Sequence, residues 1–324
     1  MRLAIPVTLM VALLGTVLSA SSQAQTYPAK PVRIICPFPP GGATDIVTRL
    51  VAQKLNEAWG QQILVDNRGG AGGNIGGELA AKSPPDGYTL FMTSGSIVTA
   101  NQHIYRKMPF NPEKDLVPIT NVASGPQVLT IHPSFPAKSI KELIVLAKAK
   151  PGSMTFGSAG VGSQTHLAAE NFLYAAAIDA VHIPYKGEGP ALVDISAGRV
   201  DIFLGNISAA LRFEKAGQIK FLGLAARTRS PVAPDVPSAP EIGLPDLLAS
   251  AWFAIVAPPG TPDAVIRKIN ADTAAALKLP DVRTKFLDQG AEPVGQDPAA
   301  TAAFIQDEER RWREVIKSAN VTLE

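Results

Sequence analysis

The segment PFPPGGATDIVTR, residues 37–49, joins a loop rich in proline and glycine to the start of an amphipathic helix. The prolines fix φ, while Gly41 and Gly42 let the backbone approach another molecule with no Cβ in the way. The first amides of a helix have no intrahelical acceptor and carry partial positive charge, so they can bind an anion. The same pattern is typical of a tight strand-to-helix turn, and this segment alone leaves both possibilities open.

A second segment, FGSAGVGSQTHLAAE, residues 156–170, repeats this arrangement of strand, glycine- and serine-rich loop, and helix. If the two loops face each other across a cleft, their N–H and O–H groups suit a small molecule with a carboxylate at each end. A hydrogen bond to a charged group contributes about 1.5–3 kcal/mol. Three or four donors per carboxylate would therefore give about −8 kcal/mol after ordering costs, a micromolar dissociation constant.

Strand-like and helix-like patterns alternate along the chain, which is typical of parallel βαβ units. The predicted strands are residues 32–36, 61–67, 87–93, 126–133, 154–158, 180–185, 200–205, 220–226 and 250–260. The predicted helices are residues 45–59, 77–83, 139–149, 165–174, 189–197, 262–277 and 299–318. The last two form an amphipathic tail, and the charges at residues 307–311 are expected to face water.

The two successive sets of elements predict an α/β protein of two lobes, each a mixed, mainly parallel sheet flanked by helices. Lobe 1 is expected to comprise residues 25–125 and 249–324, and lobe 2 residues 126–248. The chain would cross between the lobes near residues 122–128 and again near 248–253. Two crossings make a hinge, and the cleft beside a hinge is a common ligand site.

The first 24 residues have the pattern of a secretory signal peptide, with Arg2, an apolar run and the small-x-small site Ser22-Gln23-Ala24. The 30 Lys and Arg nearly balance 28 Asp and Glu, which favours neither nucleic acid nor an anionic membrane as partner. The one cysteine, Cys36, excludes an internal disulfide and is expected to be a small buried side chain. We therefore expect a soluble periplasmic monomer.

Six segments resemble the Bug/TctC family, the extracytoplasmic solute-binding receptors of tripartite tricarboxylate transporters. They cover essentially the whole mature chain: YPAKPVRIICPFPPGGATD, DNRGGAGGNIGGELAAKSPPDGYTL, PFNPEKDLVPIT, FGSAGVGSQTHLAAE, HIPYKGEGPALVDISAGRVDIF and WFAIVAPPGTP. Cys36 stands where family members usually have a valine-like residue. MTSGSIVTA and FLGNISAAL also differ from the commoner family versions, and we expect these two stretches to tune which acid is bound.

The resemblance implies a periplasmic-binding-protein (Venus flytrap) fold, a small organic carboxylate as ligand, and the membrane permease subunits of such a transporter as partner. It implies no catalysis, no metal and no cofactor. It adds cleft-lining positions at Thr93-Ser94, in the PYKG segment and in the GRVD segment. The expected ligand-binding residues are Phe38, Pro39, Gly41, Gly42, Ala43, Thr44, Asp45, Thr93, Ser94, Ser158, Ala159, Gly160, Gly162, Ser163, Gln164, Thr165, Tyr185, Asp201 and Asn206.

Other classes fit the sequence less well. NRGGAGGNIGGE, residues 67–78, has GxGxxxG spacing, and no acid ends the following strand, which argues against a dinucleotide site. A serine hydrolase is the main alternative, because GSAG at residues 157–160 resembles a nucleophile elbow, although Phe156 stands where that motif needs glycine. Its base would have to be one of four histidines: His103, His132, His166 or His182. A purely structural or partner-binding module also remains open from the residues alone.

Overall fold

A computed structural model describes residues 27–319, so the predicted signal peptide lies outside the described residues. The strands are β1 (Val32–Cys36), β2 (Ile63–Asn67), β3 (Thr89–Ser94), β4 (Val117–Ile131), β5 (Met154–Ser158), β6 (Ala180–Pro184), β7 (Ile202–Asn206), β8 (Lys220–Leu224), β9 (Ser250–Ala257) and β10 (Glu292–Pro293). The first helices are α1 (Ala43–Trp59), α2 (Asn74–Ala81), α3 (Gly95–Val98), α4 (Asn101–Ile104), α5 (Pro112–Asp115) and α6 (Ile140–Ala149). They are followed by α7 (Gln164–Ala176), α8 (Glu188–Ser196), α9 (Ile207–Lys215), α10 (Asp263–Lys278), α11 (Pro280–Asp288) and α12 (Pro298–Ala319).

The strands form two sheets that share β4. In the first sheet β1 pairs in parallel with β2 and β3, and β9 lies antiparallel between β3 and β4. In the second sheet β5 pairs in parallel with β6 and β7, and β7 is antiparallel to β4. The strands β10 and β8 pair with the other edge of β4, one in each sheet. The predicted two-lobed α/β fold is confirmed.

The strand β4 passes directly from one sheet to the other. Its residues up to Pro126 pair with β9, while those from Gln127 onwards pair with β7 and β8. The change of partner falls within the predicted crossing at residues 122–128. The second connection leads into β9, which begins at Ser250. The exact lobe boundaries, 125/126 and 248/249, stay a prediction.

Two helices, α1 and α7, begin at the cleft and are positioned by packing of their apolar faces on these sheets. In α1 the buried Val47, Val51 and Leu55 follow the helical period and pack in one cluster with Ile34 of β1. In α7 the buried Leu173 and Phe172 pack against Phe156 of β5 in a second cluster. Because both helices are held along their length, their first turns have fixed positions at the cleft.

The tail has three helices, so the prediction of two was incomplete. The additional helix is α11, which begins at Pro280, since proline is tolerated in the first turn of a helix. The prediction that the charge run on α12 faces water holds for Asp307, Arg310 and Arg311, which are exposed, but not for Glu309. Glu309 is buried and accepts hydrogen bonds from His103 and Arg313, and Glu308 accepts one from the Trp252 indole at 3.2 Å.

Candidate functional site

The candidate site lies where β3, β5 and β7 end and where α1 and α7 begin. A cavity of about 20 Å³ occupies this position. Its lining consists of Phe38, Gly42, Ala43, Thr44, Ser94, Ala159, Ser163, Gln164, Thr165, Glu188 and Asn206. In open α/β sheets ligands bind outside the carboxyl ends of the strands, and this cavity has that location. The structure thus brings together ten of the predicted residues and adds Glu188.

The first turn of α1 enters the cavity without a side-chain cap. Gly42 is the N-cap residue and makes no side-chain hydrogen bond, because glycine has no side chain to supply. The Asp45 carboxylate turns back to accept from the Gly41 amide at 3.0 Å and pairs with Arg49, so it points away from the cavity. The amides of Ala43 and Thr44 have no intrahelical acceptor and face the cleft.

The first turn of α7 reaches the same cavity from lobe 2. Here Ser163 caps the helix, accepting from the His166 amide at 3.3 Å. The Ala159 amide donates to Thr165 Oγ1 at 2.7 Å, so the loop amides are largely bonded within the loop. The amide of Gln164 is at the first helical position and has no intrahelical acceptor. Two helix N-termini, one from each lobe, therefore face a common space.

Ser94, at the end of β3, adds a polar group with no partner. Its side chain is buried, and within residues 27–319 its hydroxyl makes no hydrogen bond. A buried hydroxyl without a partner costs free energy, which a ligand atom at hydrogen-bond distance would recover. Ser94 thus offers one donor or acceptor to a bound molecule.

Glu188 is the lining residue that sequence reasoning missed. It begins α8, and its carboxylate crosses the cleft to accept from the Ala43 amide at 3.1 Å. The same carboxylate accepts from the Asn206 amide at 2.6 Å and from Asn206 Nδ2 at 2.9 Å. Burial raises the pKa of Glu188 above its ordinary value, and the hydrogen bonds from Asn206 oppose that rise. An acid at a helix start is common as a cap, so nothing local in GEGPAL indicates a contact with the other lobe.

The remaining predicted residues lie outside the cavity lining. The Tyr185 hydroxyl donates to Asp194 at 2.7 Å, and the Thr93 hydroxyl donates to the neighbouring Ser94 carbonyl. Ser158 Oγ is within hydrogen-bond distance of His182, as described below. Asp45 bonds only within lobe 1, to Gly41, Arg49 and Asn67. The others lie where the lobes touch or at the far end of lobe 2: Pro39, Gly41, Gly160, Gly162 and Asp201.

The two lobes touch around the cavity. The Tyr105 hydroxyl of lobe 1 donates to the Val161 carbonyl of lobe 2 at 2.6 Å, and Arg212 of lobe 2 donates to the Gly41 carbonyl at 3.2 Å. The glycine-rich turn that resembled a dinucleotide motif also takes part, because a Cβ at Gly72 would lie 2.4 Å from the Val161 carbonyl oxygen. A cavity of about 20 Å³ holds about one water molecule, so a larger ligand requires the lobes to separate.

Comparison with known proteins gives the site its context. Residues 47–321 match the family described as tripartite tricarboxylate transporter family receptor. The chain belongs to this family. It is 39% identical to the protein BugT of Bordetella pertussis over 307 residues, which is 94% of each chain.

Solved structures of similar proteins agree with this assignment. The structure of R. palustris Rpa4515 with adipate matches at 34% identity and TM-score 0.90, over 92% of this chain and 100% of that one. MatC (Rpa3494) from Rhodopseudomonas palustris, with bound malate, matches at 33% identity and TM-score 0.86, over 90% and 100%. As a tripartite tricarboxylate transporter family receptor, the chain is a solute-binding protein and not an enzyme. No helix within residues 27–319 has the length and apolar character needed to span a membrane.

In this receptor the serine of the hydrolase alternative does meet a histidine. Ser158 Oγ lies 2.7 Å from His182 Nε2 and also accepts from the Gly160 amide at 3.1 Å. His182 stacks on Phe156 and on His166, with ring centroids 4.7 and 4.1 Å apart. Ser158 itself is fully buried. The pair ties the end of β5 to β6 and so supports the loop that carries Ala159.

The receptor's stability should depend on the protonation of His182. Burial, aided by the nearby His166, lowers the pKa of His182 to about 4. Because the unfolded residue titrates near 6.5, stability is complete above that pH and is lost as the pH falls toward 4. Between pH 7 and pH 4.5 we expect the unfolding free energy of the wild type to fall by on the order of 1 kcal/mol more than that of His182→Gln. The difference is no larger because water screens the partly exposed ring.

Urea titrations at several pH values would measure this difference. His132→Gln serves as the matched control, since His132 makes only a local hydrogen bond with Ser134. The control should keep the wild-type slope. Parallel pH profiles for wild type and His182→Gln would contradict a neutral buried His182.

Asp201→Ala should change stability but leave acid binding alone. The Asp201 carboxylate accepts from the amide and the hydroxyl of Thr155, both at 2.8 Å, at the start of β5 and β7. That is the end of the strands opposite the cavity. Removing a charged acceptor from two donors should cost about 1–3 kcal/mol of unfolding free energy.

Chemical unfolding and calorimetric titration with adipate would measure the two effects of this substitution separately. Asp179→Ala, at an exposed acid of the same lobe, should change stability by less than about 0.5 kcal/mol. A change of ligand preference in Asp201→Ala would instead place this carboxylate on the ligand.

Proposed function

We propose that this receptor captures a small mono- or dicarboxylate, aliphatic or aromatic, in the periplasm and delivers it to the membrane permease subunits of a tripartite tricarboxylate transporter. The receptor acts as a monomer, and its ligand-binding residues are those at the ends of β1, β3, β5 and β7. The lobes, residues 25–125 with 249–324 and residues 126–248, close on the ligand as two bodies.

The single observation that carries this proposal is that two helix N-termini, one from each lobe, line one cavity with Ser94. Neutral amides and hydroxyls suit a carboxylate, because they donate hydrogen bonds to it and no charged side chain has to be buried beside it. The structures of relatives with adipate and with malate support the same ligand class.

Closure follows from this arrangement as a population shift. A carboxylate that contacts α7 alone gains only part of its hydrogen bonds, whereas one that also contacts Ser94 of lobe 1 gains hydrogen bonds from both lobes. Since only the closed state offers both sets, ligand binding favours closure. Release needs no chemical step, because the donors are neutral and separate when the lobes reopen.

A thermal-shift screen tests the ligand class. At a ligand concentration 100 times Kd, binding stabilises the native state by about 2.7 kcal/mol, which should raise Tm by about 5 °C. Hexanoate, adipate, malate, benzoate and terephthalate are compared with their neutral amides at equal concentration. At least one acid should raise Tm while its amide does not. Equal shifts for acid and amide, or no shift with any acid, would overturn the proposal.

Delivery is tested by uptake in a strain that imports the acid found in the screen. Deleting the receptor should abolish uptake, and the wild-type receptor should restore it. A receptor that folds but cannot close, Gly162→Val, should not restore it. Normal uptake in the deleted strain would separate this protein from the transporter.

A further inference from the structure

The carboxylate of Glu188 lies at the first turn of α1, where the sequence predicts that a ligand carboxylate binds. Glu188 is only 4% exposed. Its Oε2 accepts from the Ala43 amide in the first turn of α1, and its Oε1 accepts from the amide of Asn206, the N-cap residue of α9. Two helix N-termini therefore converge on one internal anion. The carboxylate of Glu188 therefore binds an amide of α1 that the sequence predicts to bind the ligand.

No cation neutralises this carboxylate by direct contact. Among the described residues Glu188 makes no salt bridge, and the nearby Arg212 donates to the Gly41 carbonyl instead. Glu188 is also the one charged side chain among the lining residues that the structure describes. The cavity wall thus carries a negative charge where Glu188 of lobe 2 meets the first turn of α1, balanced by amides and helix dipoles.

The two ends of the cavity consequently differ. At the α7 end the first-turn amide of Gln164 has no intrahelical acceptor, and the hydroxyl of Ser94 has no hydrogen-bond partner in the described part of the chain, so a ligand carboxylate can bind there. At the α1 end a second ligand carboxylate would lie beside Glu188. Like charges within a few ångströms in a buried site repel strongly, unless one of them takes a proton.

We propose that Glu188 is a specificity-determining residue that makes this receptor prefer acids with a single carboxylate over dicarboxylates. The preferred ligand places its carboxylate at α7 and Ser94, and an apolar or hydrogen-bond-donating end toward Glu188. This inference rests on the proposed function, since it concerns which acid the same cleft takes. It narrows the ligand class from mono- or dicarboxylates to monocarboxylates.

Two matched pairs of acids test the proposal by calorimetric titration. Hexanoate and adipate share a six-carbon chain, and benzoate and terephthalate share a ring, so each pair differs by one carboxylate. In whichever pair the wild type binds, it should bind the monoacid at least tenfold more tightly than the diacid, a difference of about 1.4 kcal/mol in binding free energy. Glu188→Gln and Glu188→Ala should each raise the affinity for the diacid at least tenfold relative to the affinity for the monoacid.

Glu214→Gln provides the matched control, because Glu214 lies on α9 and the same charge is removed outside the cavity lining. It should keep the wild-type preference. Equal affinity of the wild type for both acids of a pair, or an unchanged ratio in both Glu188 variants, would overturn the proposal while leaving the proposed function in place. Failure of every folded protein to bind any of the four acids would instead overturn the proposed function, and this inference with it.

Discussion

Gly162→Val is expected to weaken acid binding at least a hundredfold without unfolding the protein. A Cβ at position 162 would lie 2.7 Å from Asn101 Oδ1 and 2.8 Å from Tyr105 Cε2. Both of these atoms belong to lobe 1, whereas Gly162 belongs to lobe 2. The added side chain therefore opposes closure of the lobes, and the open protein offers the ligand the polar groups of only one lobe.

Backbone strain must be separated from this effect, because Gly162 has φ of +76° and valine is strained there whatever the space. Gly217→Val is the matched control: its φ is +69° and no atom lies within 4 Å of an added Cβ. Both variants should lose similar stability, of about 1–2 kcal/mol. Calorimetric titration with adipate and hexanoate should show lost binding for Gly162→Val alone. Wild-type affinity in Gly162→Val would mean that the lobes need not approach as they do here.

Trp252→Ala is expected to destabilise the protein by about 3–5 kcal/mol, the usual cost of removing a large buried aromatic side chain. Trp252 lies on β9 at the hinge and is only 2% exposed. Its ring packs edge-on against Phe304, with centroids 5.0 Å apart, and its indole donates to Glu308 at 3.2 Å. Truncation would leave a cavity between β9 and α12, together with a carboxylate that has lost a donor.

Urea unfolding followed by circular dichroism would measure this loss. The matched control is Trp312→Ala, because Trp312 is only partly buried at the edge of a small apolar cluster. Its cost should stay below about 2 kcal/mol. Equal losses of unfolding free energy in the two variants would show that the packing of Trp252 at the hinge contributes no more to stability than that of Trp312.

Local sequence predicts those parts of the fold that local physics decides. The helix α6 begins directly after Ser139, which caps it by accepting from the Glu142 amide. These two residues are three positions apart in the sequence, so the helix start can be predicted locally. The first half of β4 was not predicted, because Pro118 and Gly125 interrupt the pattern typical of a strand. That half is a strand because β9 and β10 pair with it on its two edges, and both are distant in sequence.

The candidate site divides in the same way. The first turns of α1 and α7 were predicted, since a glycine-rich loop before a helix determines where free amides lie. Glu188 was not predicted, because its contact with Ala43 joins residues 145 apart in sequence. Glu309 behaves similarly: in sequence it belongs to a charged run, yet His103 from another helix binds it in the interior. Such pairings depend on which surfaces the fold brings together.

The position of β9 between β3 and β4 has a consequence for the order of assembly. Its residues, Ser250–Ala257, follow the whole of lobe 2 in the chain, yet they fill the middle of the lobe 1 sheet. The amino-terminal lobe cannot complete its hydrogen bonding until this late strand has been synthesised, and closing so long a loop is slow. The sheet that presents α1 and Ser94 to the cavity is therefore among the last parts of the fold to be completed.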